Sequence, residues 1–281
     1  MKYLEVTFIT VPSSETINDV LSSVLGEVGF ESFMEHELGI KAYIPENLFD
    51  ATAMERAIQD FPLENVQFDY TWQETEDKDW NEEWERNSFQ PVVIDNRCVI
   101  HSTFHKDVPQ VEYNIIINPR MAFGTGYHQT TNLVINALLK NNLKGKSVLD
   151  MGCGTSVLAI LACMRGAAPV TAIDIDTWCV ENSKENVALN GLTGITVELG
   201  DVSLLKGKEP FDVIIANINR NVLLNDMKHY ASCMKPTSEL YTSGFYVEDI
   251  PIIREEAEKN KLRFDFYEEN NNWAIVKFML I

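Results

Sequence analysis

Four polar residues stand where apolar runs end: Asp150 in "VLDMGCGTSVLAI", Asp174 in "VTAIDI", Asp201 in "ITVELGD" and Asn217 in "FDVIIANI". Each run has the composition of a strand. In an open α/β sheet, such strand ends rim the ligand crevice. Gly152 and Gly154 let the backbone turn tightly and approach a ligand without a Cβ clash. A dinucleotide fingerprint needs a third glycine at position 157, where this chain has Val157. Asp150 also suits a pyrophosphate poorly. It suits a ligand with a positive end, such as the amino group or sulfonium of S-adenosylmethionine. The bland alternative is a turn that merely needs glycine.

Asp174 lies 22 residues past Gly152, where an acid can accept both ribose hydroxyls. Its competing role is a helix N-cap, for which Asp176 is also available. Asp201 is placed to accept from an adenine amino group. Strand end, acid and turn recur three times in register, and together they point to an adenosyl cofactor. Asn217 then faces the transferred methyl group, where an amide can orient an amine by accepting its N–H. The Asn-Pro-Pro-Tyr form of this loop is absent, which argues against adenine-N6 and glutamine-amide methyl transfer.

A second glycine stretch, "INPRMAFGTGYHQTT", precedes the first strand of this series and so is not the nucleotide turn. It is expected to fold over the cofactor from upstream. Gly124 and Gly126 would let it lie close, and Phe123 would shield the methyl group from water. Thr130 and Thr131 are expected to cap the following helix, with one hydroxyl free to reach the ligand. His128 reads as a capping or surface histidine ahead of a base.

The elements that must position these residues follow from periodicity. "KYLEVTFIT" alternates as a half-buried strand. "SSETINDVLSSVLGEVG" opens with capping chemistry and repeats its apolar residues at helical spacing. "FESFMEHE" and "GIKAYIPE" read as strands, "DATAMERAIQDF" as a helix capped by Asp50, and "VQFDYTWQE" as a fourth strand. This β-α-β-β-α-β order is the split βαβ, or ferredoxin-like, pattern over residues 1–75. An acidic, Trp-rich linker, 76–90, is expected to hold Trp80 and Trp84 on a short helix. Residues 91–281 form the third segment. It opens with a hairpin turning at Asn96, continues as alternating strands and helices, and closes with "LRFDFYEENNNWAIVKFML" as a second hairpin. Such alternation gives a mostly parallel sheet with helices on both faces and an antiparallel edge.

The net charge of −19 argues against a phosphate-backbone partner. The acidity either attracts a basic protein or serves solubility alone. Five irregularly spaced cysteines fit reduced thiols in the cytosol. No His-x-x-x-His or Cys-x-x-Cys suggests a metal site. The first stretch, "MKYLEVTFITV", is short and carries Glu5, so no signal peptide is expected in it, and no run of about 18 apolar residues suggests a membrane span.

"NPRMAFGTGYHQTT", "VLDMGCGTSVLAI", "AIDID" and "VIIANI", in this order behind a small βαββαβ domain, resemble the PrmA family. The resemblance covers essentially the whole chain, and its most specific element is the Phe-Gly-Thr-Gly-x-His-x-Thr-Thr loop. It implies a class I, seven-stranded, Rossmann-like methyltransferase domain behind the ferredoxin-like domain. It implies S-adenosylmethionine-dependent N-methylation of lysine and/or N-terminal amines of protein eleven of the large ribosomal subunit. In that family the N-terminal domain and linker present this basic substrate. The family's cofactor contacts map onto Thr131, Gly152, Asp174 and Asn217. The chain is expected to work in the cytoplasm, as a monomer, without direct contact to nucleic acid or membrane.

The chain departs from the family at "GCGTS", with Ser156 where glycine is usual, at "YHQ" in the loop, and at "INR" after Asn217. Ser156 is expected in the first turn of the helix, where serine is harmless. A positive φ there would cost about 1 kcal/mol or more. Two rival readings share the same residues. One is a methyltransferase for another protein, a small molecule or a nucleic acid. The other is a module that binds the cofactor without turnover.

Overall fold

The computed structural model describes residues 3–63, 66–74, 89–118, 124 and 126–281. The chain divides into two compact units, residues 1–83 and 84–281. The short helix expected at Trp80 and Trp84 lies outside the described residues.

The first unit runs β1 (Tyr3–Val11), α1 (Glu15–Gly26), β2 (Ser32–His36), β3 (Gly39–Pro45), α2 (Ala51–Gln59) and β4 (Gln67–Glu74). Ser14 starts α1 by accepting the Ile17 N–H, and Asp50 starts α2 by accepting those of Thr52 and Ala53. Each cap is worth about 1 kcal/mol. The antiparallel sheet has the order β2-β3-β1-β4, the ferredoxin-like arrangement. Val6 and Phe8 on β1 meet Leu21 and Leu25 of α1 and Met54 of α2 in a fully buried core.

The second unit opens with β5 (Val92–Ile94), β6 (Cys98–His101) and β7 (Tyr113–Ile116). Asp95 and Asn96 both have positive φ, 52° and 51°, and the Arg97 N–H donates to the Ile94 carbonyl, so a left-handed turn of the I′ kind sits in the three-residue loop between paired Ile94 and Cys98. The main sheet then alternates with helices: α3 (Gln129–Lys140), β8 (Val148–Met151), α4 (Val157–Met164), β9 (Val170–Asp174), α5 (Thr177–Leu189), β10 (Ile195–Leu199), β11 (Phe211–Asn217), α6 (Arg220–Ser232), β12 (Met234–Tyr246) and α7 (Ile250–Lys259). The antiparallel pair β13 (Leu262–Asn270) and β14 (Trp273–Leu280) closes the chain.

The seven strands are ordered β10-β9-β8-β11-β12-β14-β13. The first five run parallel, and β14 and β13 supply the antiparallel edge. The chain builds outward from β8 to β9 and β10, then returns to β11 on the other side of β8. That reversal is the switch point at which open α/β sheets bind ligands. The core has two layers. Val148, Val170, Val213 and Ile215 pack with α3 and α4 on one face. Leu149, Ile173, Ile214 and Ala216 pack with α6 and α7 on the other. Helix α4, "VLAILACM", is apolar all round because residues 157–162 are buried.

Candidate functional site

Strand alternation decides which side chains share the switch point. Val148, Val170 and Val213 face the α3–α4 layer. A period of two therefore sends Asp150, Asp174 and Asn217 to the same face. The register pairs Ile215 with Asp150, and Asp150 with Ala172. Asp174 and Asn217 thus stand two residues beyond Asp150, at the C-terminal ends of their strands.

The turn after β8 is built from backbone geometry that side chains resist. Gly152 and Gly154 have φ of 70° and 53°. A Cβ on Gly152 would lie 2.3 Å from the Ile218 Cγ2, so only glycine fits there. The turn is fastened to β9: Gly152 and Cys153 N–H groups both donate to the Ile173 carbonyl, and Gly154 N–H donates to Asp174 Oδ2 at 2.9 Å. Asp174 Oδ1 accepts the Asp176 N–H, while Asp176 caps α5 through the Trp178 N–H. Asp174 is therefore not the cap itself.

Asp150 lies beneath the turn, 1% exposed. Its Oδ2 accepts the Ala159 N–H at 3.1 Å, in the first turn of α4. Oδ1 has no hydrogen-bond partner among the described residues. Burial pushes this carboxyl up to about 7, and the Asp174 charge adds to the rise.

Two expectations need correction. Ser156 is not in the first helical turn: it is the N-cap of α4, in the left-handed region at φ 61°, ψ 20°. Its hydroxyl does not cap the helix but donates to Ser183 Oγ at 2.7 Å, and Ser183 in turn donates to the Gly154 carbonyl. The second correction is at α3. Its cap is His128, whose Nδ1 accepts the Thr130 N–H, leaving Thr130 and Thr131 inside the helix. Thr131 is nearly buried, and Asn217 Nδ2 lies 3.5 Å from its Oγ1, a long contact.

Gly124 comes to rest on the glycine turn. Thr155 Oγ1 donates to the Gly124 carbonyl at 2.8 Å, and a Cβ on Gly124 would meet that same oxygen. Gly126 is held small by Ile100, whose Cδ1 would lie 2.5 Å from an added Cβ. Asp201 stays apart, exposed at the end of β10. Hydrogen bonding from the Ser203 hydroxyl, and then from the Ser203 N–H at 2.8 Å, holds its carboxylate below the usual range. Phe123 lies outside the described residues. The residues missed in the sequence are Thr155 in the turn and Ser183 and Asn186 beneath it, all fully buried. Asn186 had a visible signal, the spacing Asn182-Asn186-Asn190.

A glycine turn after the first parallel strand, with this strand order and an antiparallel final pair, makes the second unit a class I methyltransferase fold. The comparisons narrow the class. The model of the family "Ribosomal protein L11 methyltransferase (PrmA)" matches residues 9–280. Ribosomal protein L11 methyltransferase of Phocaeicola vulgatus is 64% identical over 280 residues, covering 100% of both chains. That of Bacteroides thetaiotaomicron is 66% identical over 278 residues, covering 99% of each. The crystal structure of ribosomal protein L11 methylase from Lactobacillus delbrueckii subsp. bulgaricus superposes with a TM-score of 0.63 at 26% identity, covering 68% of this chain and 98% of that one. The chain belongs to the ribosomal protein L11 methyltransferase (PrmA) family.

The site's chemistry matches the methyl donor of such an enzyme. An orphaned buried carboxylate oxygen on Asp150 welcomes a cationic end. Asp174 offers an acceptor at the strand end. Ile175 beside it is 75% exposed, an apolar surface suited to a planar base.

Proposed function

We propose that the chain methylates lysine and/or N-terminal amines of ribosomal protein L11, with S-adenosylmethionine as donor. The observation that carries this reading is the convergence of Asp150, Asp174 and Asn217 on one sheet face at the switch point, beside a turn only glycine can make. Family membership supplies the substrate class.

When bound, the donor supplies an electrophilic methyl group on a sulfonium. Gly152, Gly154 and Thr131 would line its place, Asp174 would accept the ribose hydroxyls, and Asp201 the adenine amino group. Phe123 would shield the methyl group. The incoming amine must be neutral, because its lone pair would form the new N–C bond as the methyl–sulfur bond breaks, leaving a neutral thioether and moving the positive charge to the nitrogen. A lysine amine has a pKa of about 10.4, so a water-poor site that disfavours its charged form helps it arrive deprotonated. Asn217 would accept the amine N–H and aim its lone pair. Proximity and orientation then supply most of the rate.

Residues 1–75 and the linker, 76–90, would present L11 to the catalytic segment, 91–281. The net charge of −19 favours a basic partner such as a ribosomal protein. Among the described residues no helix is long and apolar enough to cross a membrane. With a ribosomal protein as substrate the chain would work in the cytoplasm, and we take it to act as a monomer. Incubation with S-adenosylmethionine and unmethylated L11, followed by mass spectrometry, tests the proposal.

A further inference from the structure

Helix α5 and its C-cap carry an asparagine at every fourth position along one stripe: Asn182, Asn186 and the capping Asn190. Asparagine is a poor helix former, and two of these amides are 0–1% exposed, so the stripe needs a reason other than helicity. That reason is the free edge of β7. One edge of β7 pairs with β6. On the other, Asn190 accepts the Ile116 N–H at 2.9 Å and donates to the Ile116 carbonyl at 2.6 Å. Two residues on, Asn186 accepts the Asn118 N–H at 2.8 Å, and Asn182 donates to the Asn118 carbonyl at 3.0 Å. Four helical residues rise about 6.0 Å, and two strand residues about 6.6 Å. The stripe therefore meets every second residue of the strand, and side-chain amides stand where a further antiparallel strand would.

Asn186 does one thing more. Its Nδ2 donates to the Thr155 carbonyl at 3.0 Å and to Asn182 Oδ1 at 3.1 Å. Thr155 belongs to the glycine turn and holds the Gly124 carbonyl. One buried side chain thus ties the backbone of that turn to the backbone at Asn118, from which the Gly-Thr-Gly stretch departs. Asn190 makes the same kind of strand contact without reaching the turn.

We infer that Asn186 is a positioning residue for cofactor binding: it holds the Gly152–Thr155 turn in register with Asn118, acting through those backbones. The inference rests on the reading of that turn as the cofactor cradle. Its neighbour on the stripe, Asn190, is the internal control. Loss of either amide leaves buried backbone groups unpaired and lowers stability, but only loss of Asn186 releases the turn.

The test measures S-adenosylmethionine Kd by calorimetry and Tm by thermal melt for the wild type, Asn186→Ala, Asn186→Ser and Asn190→Ala. Both Asn186 variants should weaken the cofactor by about tenfold or more, whereas Asn190→Ala should lower Tm and keep the wild-type Kd. Asn186 variants that melt lower yet bind like the wild type overturn the inference, as does an equal loss of affinity in Asn190→Ala. Amide exchange of the wild type gives a second measure that needs no variant. Saturating cofactor should slow exchange at Asn118 and leave Ile116 unchanged, and no gain at Asn118 contradicts the inference. A wild type that binds no cofactor would instead strike the functional reading.

Discussion

The Asp174 carboxylate joins two strand ends: Oδ2 accepts the Gly154 N–H of the neighbouring turn at 2.9 Å, and Oδ1 accepts the Asp176 N–H of its own at 3.0 Å. An acid at this position therefore shapes the glycine turn before any ligand arrives. Asp174→Asn keeps the size but turns a donor toward one of these N–H groups. Unfolding free energy should fall by about 1–3 kcal/mol, and S-adenosylmethionine should bind at least about tenfold more weakly. Urea denaturation and calorimetry measure the two, and a wild-type Kd would remove Asp174 from the binding account.

Ser156 combines a left-handed backbone with a buried hydroxyl bond to Ser183. The backbone costs about 1 kcal/mol, and the bond returns about the same. Ser156→Gly relieves the first and loses the second, so its stability should stay within about 1 kcal/mol of the wild type. Ser156→Ala keeps the strain and loses the bond, and should be the less stable of the two variants. The reverse ranking in denaturant melts would show that the conformation is not strained.

Asp150 makes the pH dependence specific. Burial raises its carboxyl from 3.8 to about 7. The folded value is the higher, so the protonated form is favoured in the folded state. The stability this group allows is full below pH 4 and is lost as pH rises through about 7. Asp150→Asn should therefore be more stable than the wild type at pH 8, with the difference shrinking toward pH 5. A cationic ligand favours the carboxylate, so S-adenosylmethionine affinity should rise between pH 6 and 7.5 in the wild type and stay flat in the variant. Parallel profiles would show that Asp150 does not face the ligand's charge.

Charge predicts a difference between the two ligands. A protein of net charge −19 attracts a basic substrate over long range, and salt screens that attraction. Raising salt should weaken L11 binding more steeply than cofactor binding. Equal salt slopes would leave the acidity as a matter of solubility.

Much of this was legible in residue order. The strand ends at Asp150 and Asn217 were legible because "VLDMG" and "FDVIIAN" read as apolar strands, but the face they share was not, because both faces of these parallel strands are buried. The caps at Ser14 and Asp50 were readable because a capping side chain bonds backbone only two or three residues on. Ser156 was not, because its left-handed backbone belongs to the turn that its N–H closes on the Cys153 carbonyl, and its hydroxyl goes to Ser183, 27 residues away, instead of capping the helix. The cap at α3 went to His128 because an imidazole nitrogen can accept the Thr130 N–H as a hydroxyl would. The Asn182-Asn186-Asn190 stripe was in plain view, but its partner strand edge appears only when α5 packs against β7.

The central claim is methyl transfer to L11, and one mass measurement tests it. Purified protein, S-adenosylmethionine and unmethylated L11 should yield L11 heavier in steps of one methyl group, with Asn217→Ala slowing every step even at cofactor concentrations that saturate the variant. L11 of unchanged mass, with cofactor binding demonstrated in the same sample, would contradict the account.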